Sequence, residues 1–286
     1  MSQRIFPEYT IVDKEPITIC KQINGEAFDY PFFNEGAIAL QGGNHIKKQY
    51  NLQEIELLDD SNLLEIKGFI FHTSHCGSTL LSRMLGISSK IRVISETEAI
   101  NGLLLSYLLH NLPEKKVMTQ LKIIIDAYRQ PIGEEKYIIF KFTSWNVFMI
   151  RLFQKIYPST KWTYIDRNTE DVVASLYKSD GGIQNWFYQP TDILRKHFIE
   201  RSFTNTSKEK YLTHIVEQHR KQVKIYTNDN LCLLMYPEFI DKFETEILTH
   251  FNLQFSELEL KDVKELMGFY SKSWEKKPYG KVKTVK

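Results

Sequence analysis

Short apolar runs alternate with amphipathic stretches through most of this chain. Strand-forming runs fall at 69–71, 91–95, 137–142, 162–166 and 231–236. Between them the apolar spacing lengthens to the helical period, predicting helices over 78–87, 98–110, 116–129, 146–156, 169–178, 207–225 and 240–251. In the first of these, Leu80, Leu81, Met84 and Leu85 form the inward stripe. Alternation of this kind implies a parallel sheet, because a parallel neighbour is reached only by a crossover long enough to hold a helix. The first 66 residues differ in texture: β-rich runs at 9–12, 17–23 and 37–40 are broken by Pro16, Pro31 and Gly42-Gly43. The expected fold class is α/β, a doubly wound parallel sheet flanked by helices. A small β-rich N-terminal extension over 1–66 packs on a main domain over 67–286.

Two strand–helix corners carry chemistry. At 161–177 a buried strand ends on Asp166-Arg167 and turns at once into a helix, with Asn168 and Asp171 as an N-cap pair. Arg167 thus stands at a strand's carboxyl end, where open α/β sheets put ligands. Ser175 follows eight residues on, and a guanidinium fork with a hydroxyl suits a phosphate. At 67–85 another apolar strand runs into Thr73-Ser74-His75-Cys76-Gly77-Ser78-Thr79 and then a helix. That loop would aim N–H groups and the hydroxyls of Ser78 and Thr79 at an anion on the helix N-terminus. It resembles a P-loop in position only: Ser78 stands where a Walker A loop has its lysine, which argues against ATP or GTP hydrolysis.

Together these segments resemble the two cofactor motifs of the sulfotransferases that use 3′-phosphoadenosine 5′-phosphosulfate (PAPS). In that family a loop ending in Gly-[Ser/Thr]-Thr binds the 5′-phosphosulfate, and an Arg with Ser eight residues later binds the 3′-phosphate. Cys76-Gly77-Ser78-Thr79 and Arg167…Ser175 match, over a likeness spanning roughly 67–255. The resemblance implies a P-loop-like sheet, PAPS as donor, 3′-phosphoadenosine 5′-phosphate as product and no metal. Many members carry Lys or Arg where this chain has His75, an imidazole only partly protonated near neutral pH.

The resemblance also implies catalytic groups. Several subfamilies use a glutamate beside the phosphosulfate loop as base. Glu96-Thr97-Glu98 occupies that neighbourhood, and Glu96, nearer the strand tip, is preferred over Glu98, whose ordinary role is a helix-end charge. Lys141 ends the strand at 137–142; related enzymes place a lysine there to stabilise charge on the sulfuryl group. His75 and the loop would hold the same group. His72 lies at the strand–loop junction, His110 far along a helix, and His197, His214, His219 and His250 on predicted helices where a surface or capped role is the default. In the tail, Ser271 and Lys272 correspond to a late loop that closes over the nucleotide, although a solvated basic tail is the plain reading.

Composition narrows the picture modestly. With 42% hydrophobic and 25% charged residues over 286 positions, the chain reads as ordinary globular protein. A net charge of +2 gives no nucleic-acid or membrane footprint, and no apolar stretch approaches a membrane span. Met1–Glu8 lacks a signal-peptide pattern, and Cys20, Cys76 and Cys232 are too scattered for a disulfide framework or metal site, so a reducing cytoplasm is expected.

The reading is a PAPS-dependent sulfotransferase acting on a small-molecule or biopolymer hydroxyl or amine. Asp166 motivates a rival, a metal-dependent kinase in which it would serve as the Walker B carboxylate. A nucleotide-binding module without catalysis is the third reading. The acceptor is left open; the Gly-rich segment 180–190, with Trp186, Phe187 and Tyr188, could lid its pocket or pack on the core.

Overall fold

The computed structural model describes residues 4–40, 48–55, 62–179, 185–188, 193–199 and 206–267. The extension builds β1 (Arg4–Ile11) and β2 (Ile17–Ile23), then α1 (Phe33–Ala39) and β3 (Gln49–Asn51), the strands forming an antiparallel sheet in the order β1-β2-β3. The strand expected over 37–40 is instead the end of α1 and its cap. Phe33, Gly36 and Ala37 recur at helical spacing and are buried together. A Cβ on Gly36 would lie 2.4 Å from the Ala27 carbonyl oxygen, so glycine there permits the close approach.

The main domain follows the alternation read from the sequence. Its elements are β4 (Glu65–His72), α2 (Ser78–Leu85), β5 (Ile91–Ser95), α3 (Glu98–His110), α4 (Glu114–Tyr128), β6 (Tyr137–Lys141), α5 (Ile150–Ile156), β7 (Trp162–Arg167), α6 (Thr169–Lys178), α7 (Asn185–Tyr188), α8 (Ile193–Phe198), α9 (Lys208–Ile225), β8 (Leu231–Tyr236) and α10 (Glu257–Leu266). The first main strand begins two residues before the expected boundary. The helix expected over 146–156 opens as a 3₁₀ turn, Ser144–Met149. The one expected over 240–251 is a 3₁₀ turn, Glu238–Ile240, followed by the π-helical segment Phe243–Leu248, whose wide turn buries Phe243, Ile247 and Leu248. α10 was not expected, although its capping box, Ser256 with Glu259, is visible in the sequence.

The five main strands run in the order β5-β6-β4-β7-β8 and every neighbouring pair is parallel. Both faces are covered, as a parallel sheet requires. Ile70, Ile139, Ile165 and Leu234 share one core with Leu81, Met84 and Leu85 of α2 and with Val263 and Leu266 of α10. The opposite face presents Phe69, Phe71, Phe140, Trp162 and Tyr164 to α3–α6 and α9. Aromatic rings dominate that side: Phe71 and Phe142 lie 4.9 Å apart, and Phe142 and Phe153 4.2 Å.

The extension docks through α3 and α4. Thr10 donates to the Ala99 carbonyl at 2.7 Å, and the buried Tyr128 hydroxyl donates to the Pro7 carbonyl at 2.7 Å. Gly102 makes the approach possible, since a Cβ there would sit 2.3 Å from the Thr10 carbonyl oxygen. Gly102→Val should therefore lower the unfolding free energy by about 1–3 kcal/mol in a urea titration. Gly25→Ala, whose added Cβ would meet Ile132 only at 3.7 Å, should stay within about 0.5 kcal/mol of the parent.

Candidate functional site

The strand order places a topological switch point at the carboxyl edge. After β4 the chain leaves through α2 toward β5, on one face; after β7 it leaves through α6 toward β8, on the other. Between β4 and β7 the two connections diverge, and ligands of open α/β sheets bind at such a switch point. The β4–β7 ladder, in register from Phe69↔Trp162 to His72↔Ile165, therefore sets the 73–77 loop beside the Arg167 corner.

The two motifs touch there. His75 Nδ1 lies 2.7 Å from Ser175 Oγ, across 100 residues of sequence. Arg167 Nη1 donates to the His75 carbonyl at 3.3 Å, and its Nη2 lies 3.4 Å from Asp171 Oδ2. Tyr236, in register with Arg167 at the end of β8, carries the Arg167 guanidinium 5.0 Å from its ring centre. The same ring crowds Gly77, where a Cβ would lie 2.5 Å away; Gly77 also has φ +82°, so glycine is required twice over. His75 has φ +58°, an uncommon conformation for a residue with a side chain.

α2 begins directly after Gly77, with Ser78 and Thr79 buried in its first turn. The first N–H groups of a helix have no intrahelical acceptor and form an anion-seeking end. Cys76 is buried and its thiol donates to the Thr73 carbonyl at 2.8 Å; burial pushes that thiol up to about 12. What Cys76 can offer an anion is its backbone amide. On the other side of the corner, Asn168 caps α6 by accepting from the Glu170 and Asp171 N–H groups, as its position in the sequence implies.

Glu96 and Lys141 come together at the tips of the neighbouring strands β5 and β6. The fully buried Lys141 ammonium donates to Glu96 Oε1, and the Glu96 N–H donates to the Lys141 carbonyl at 2.8 Å. Glu96 retains 23% side-chain exposure and has φ +53°. The extension reaches this point as well: Lys141 Nζ lies 5.0 Å from the Phe32 ring centre, and Asn34 Oδ1 accepts the Glu98 N–H at 2.9 Å. Burial, and then the Glu96 charge, raises the carboxyls of Glu35 and Glu98 above their ordinary values.

Asp166 is committed elsewhere. Arg220 of α9 holds both its oxygens, Nε to Oδ2 at 2.6 Å and Nη2 to Oδ1 at 3.2 Å, and Oδ1 also accepts the Arg167 N–H at 2.8 Å. A carboxylate already paired with a guanidinium in this way weighs against the Walker B reading. Arg220 and Tyr236 carry no motif in the sequence; only the strand-end position of Tyr236 pointed to it. The Ser74–Ser144 hydroxyl contact at 2.8 Å, and the reach of Phe32 and Asn34 into the site, were equally silent. Ser271 and Lys272 lie outside the described residues, as does most of 180–190; within it Phe187 packs against Tyr211 with ring centres 5.4 Å apart.

No protein-family model matches the chain, and no curated protein matches it. Among solved structures it is similar to a sulfotransferase from Alicyclobacillus acidocaldarius at 12% identity, covering 71% of this chain and 91% of that one with a TM-score of 0.42. A sulfotransferase from Mycobacterium avium is 8% identical over 76% and 69% of the two chains, with a TM-score of 0.47. A mouse sulfotransferase complexed with PAP is 12% identical over 78% and 72%, with a TM-score of 0.40.

Two histidines correct the sequence expectation. His214 and His219 of α9 are buried rather than at the surface, and neither ring nitrogen of His219 has a hydrogen-bond partner among the described residues. Burial, with His72 nearby, lowers His219 to about 3. His72 is also buried, with Nδ1 2.7 Å from the Thr73 carbonyl and Nε2 2.9 Å from the Phe142 carbonyl. A neutral ring can donate to one of these, and burial, followed by the Lys141 charge, outweighs the second bond and lowers His72 to about 4. Both rings are thus held neutral while the unfolded chain protonates near 6.5. The stability they contribute is present above about pH 6.5 and is lost as pH falls toward 4 and then 3, at about 1.4 kcal/mol per pH unit for each ring. His219→Phe, which can keep the edge-to-face contact with Phe148, should make urea stability fall less steeply between pH 6 and 4.5 by about one proton's worth. An unchanged slope would show that His219 is already charged in the fold.

Proposed function

We propose that this protein is a sulfotransferase that moves the sulfuryl group of PAPS to a hydroxyl or amine acceptor by in-line transfer. One observation carries the reading: the 73–79 loop and the Arg167/Ser175 pair, two halves of a nucleotide bisphosphate site by their chemistry, meet through the His75–Ser175 contact of 2.7 Å. The residues fit such a ligand. Arg167 Nε is buried with no acceptor among the described residues, a donor that an anion at the switch point would satisfy.

When bound, PAPS supplies an electrophilic sulfuryl group on a phosphate leaving group. Arg167 and Ser175 grip the 3′-phosphate. The first turn of α2, with Ser78 and Thr79, cradles the 5′-phosphosulfate. Lys141 provides preorganised positive charge where negative charge grows during transfer. Glu96, partly exposed at the tip of β5, takes the acceptor's proton. The kinase reading stands second because Asp166 is held by Arg220, and a pure binding module differs from a transferase only in turnover.

Calorimetric titration with 3′,5′-bisphosphoadenosine should show binding that needs no metal and exceeds that of ATP with Mg²⁺. Loss of a charge-assisted bidentate contact costs about 1.5–3 kcal/mol. Arg167→Ala should thus weaken bisphosphate binding at least about tenfold and leave adenosine 5′-phosphosulfate nearly unaffected. An equal loss on both ligands would make Arg167 a support of the fold.

The base assignment is checked with labelled PAPS and an acceptor found by screening. Glu96→Gln should keep cofactor affinity and lower turnover by roughly 10²–10⁴. Glu98→Gln, altering a helix-end charge whose N–H is capped by Asn34, should retain most activity. Normal turnover in both variants would exclude a carboxylate base and shift attention to His72 or His75.

A further inference from the structure

We propose that Arg220 is a positioning residue for 3′-phosphate recognition, aiming Arg167 without touching the nucleotide. The inference rests on the nucleotide reading given above. All three guanidinium nitrogens of Arg220 are used on one backbone corner. Nε and Nη2 clamp the Asp166 carboxylate at 2.6 and 3.2 Å, Nη1 donates to Thr169 Oγ1 at 2.7 Å, and Nη2 donates to the Arg167 carbonyl at 2.9 Å. The three residues so tied, Asp166, Arg167 and Thr169, are the last two of β7 and the first of α6. Hydrogen bonding to Asp166 and its charge hold the Arg220 guanidinium above its ordinary pKa.

The clamp fixes the peptide units on either side of the Arg167 Cα, and with them the direction in which that side chain leaves the strand. A bidentate contact to phosphate demands such direction, since a fork displaced by an ångström loses one of its two bonds. Lysine in place of Arg220 would keep the charge but has no planar fork to span Asp166, Thr169 and the Arg167 carbonyl together. The clamp comes from α9, 53 residues further along the chain than Arg167, so the selectivity of the corner is set by an element that carries none of its ligands.

The test compares two ligands that differ by one group, 3′,5′-bisphosphoadenosine and adenosine 5′-phosphate, in calorimetric titrations of the full chain. The wild type should prefer the bisphosphate strongly. Arg220→Lys and Arg220→Gln should each lower that preference at least about tenfold, with affinity for adenosine 5′-phosphate changing less than about threefold. Thr169→Val, which removes one partner of the clamp, should give a smaller loss in the same direction and serves if the Arg220 variants do not fold. Retained preference in Arg220→Lys would reduce the role to bulk charge and overturn the proposal. Parallel loss on both ligands would make Arg220 merely structural and overturn it equally. A wild type without preference for the bisphosphate refutes the nucleotide reading itself, before any variant is made, and the proposal goes with it.

Discussion

The ladder between β4 and β7 is the constraint on which the rest of the site depends. Parallel strands in fixed register end side by side, and here the chain leaves the two ends in opposite directions and on opposite faces. The loop and the corner are therefore brought together by the sheet rather than by their own short-range preferences. Sliding the ladder by one residue would turn Phe69 and Phe71 out of the aromatic core, so the register that buries those rings also sets the distance between His75 and Ser175.

Charge at the carboxyl edge is arranged in compensated pairs. Lys141, without exposure of its own, is matched by Glu96, and Asp166 by Arg220. Burying either member alone would be costly, whereas each pair is hydrogen-bonded and fixed in geometry. The extension takes part in this balance: Phe32 covers the Lys141 ammonium, and Asn34 ties the start of α3 to the Glu8 carbonyl. What reads in sequence as an appendage is a wall of the site.

The fold was legible because most main strands hold a short apolar run and several helices, α2 among them, carry an apolar stripe. The shared placement of the loop, the Arg167 corner and the Glu96 and Lys141 tips was legible for a related reason: polar residues at strand ends stand out against apolar neighbours, and parallel strands bring those ends to one edge. The error at 37–40 came from reading a short apolar stretch as a strand when Phe33, Gly36 and Ala37 were spaced for a helix. The run at 240–251 has helical spacing but opens on the end of a 3₁₀ turn and winds as a π-helix over Phe243–Leu248, with Phe243 and Ile247 in the core. Arg220, His219 and Phe32 could not be found from sequence. Their importance comes from a contact with a residue tens of positions away, and nothing local distinguishes a clamping arginine from a solvated one on the same helix.

Tyr236 gives the site an order of assembly. Its ring lies against both Gly77 and Arg167, yet it belongs to the last strand of the sheet, made long after the loop and corner it supports. A chain emerging from the ribosome can pair β4 with β7 and still lack the surface on which the loop and the guanidinium rest. The meeting of the loop with the Arg167 corner is therefore completed only when β8 adds to the sheet edge, so an unfinished chain lacks the ring on which both rest.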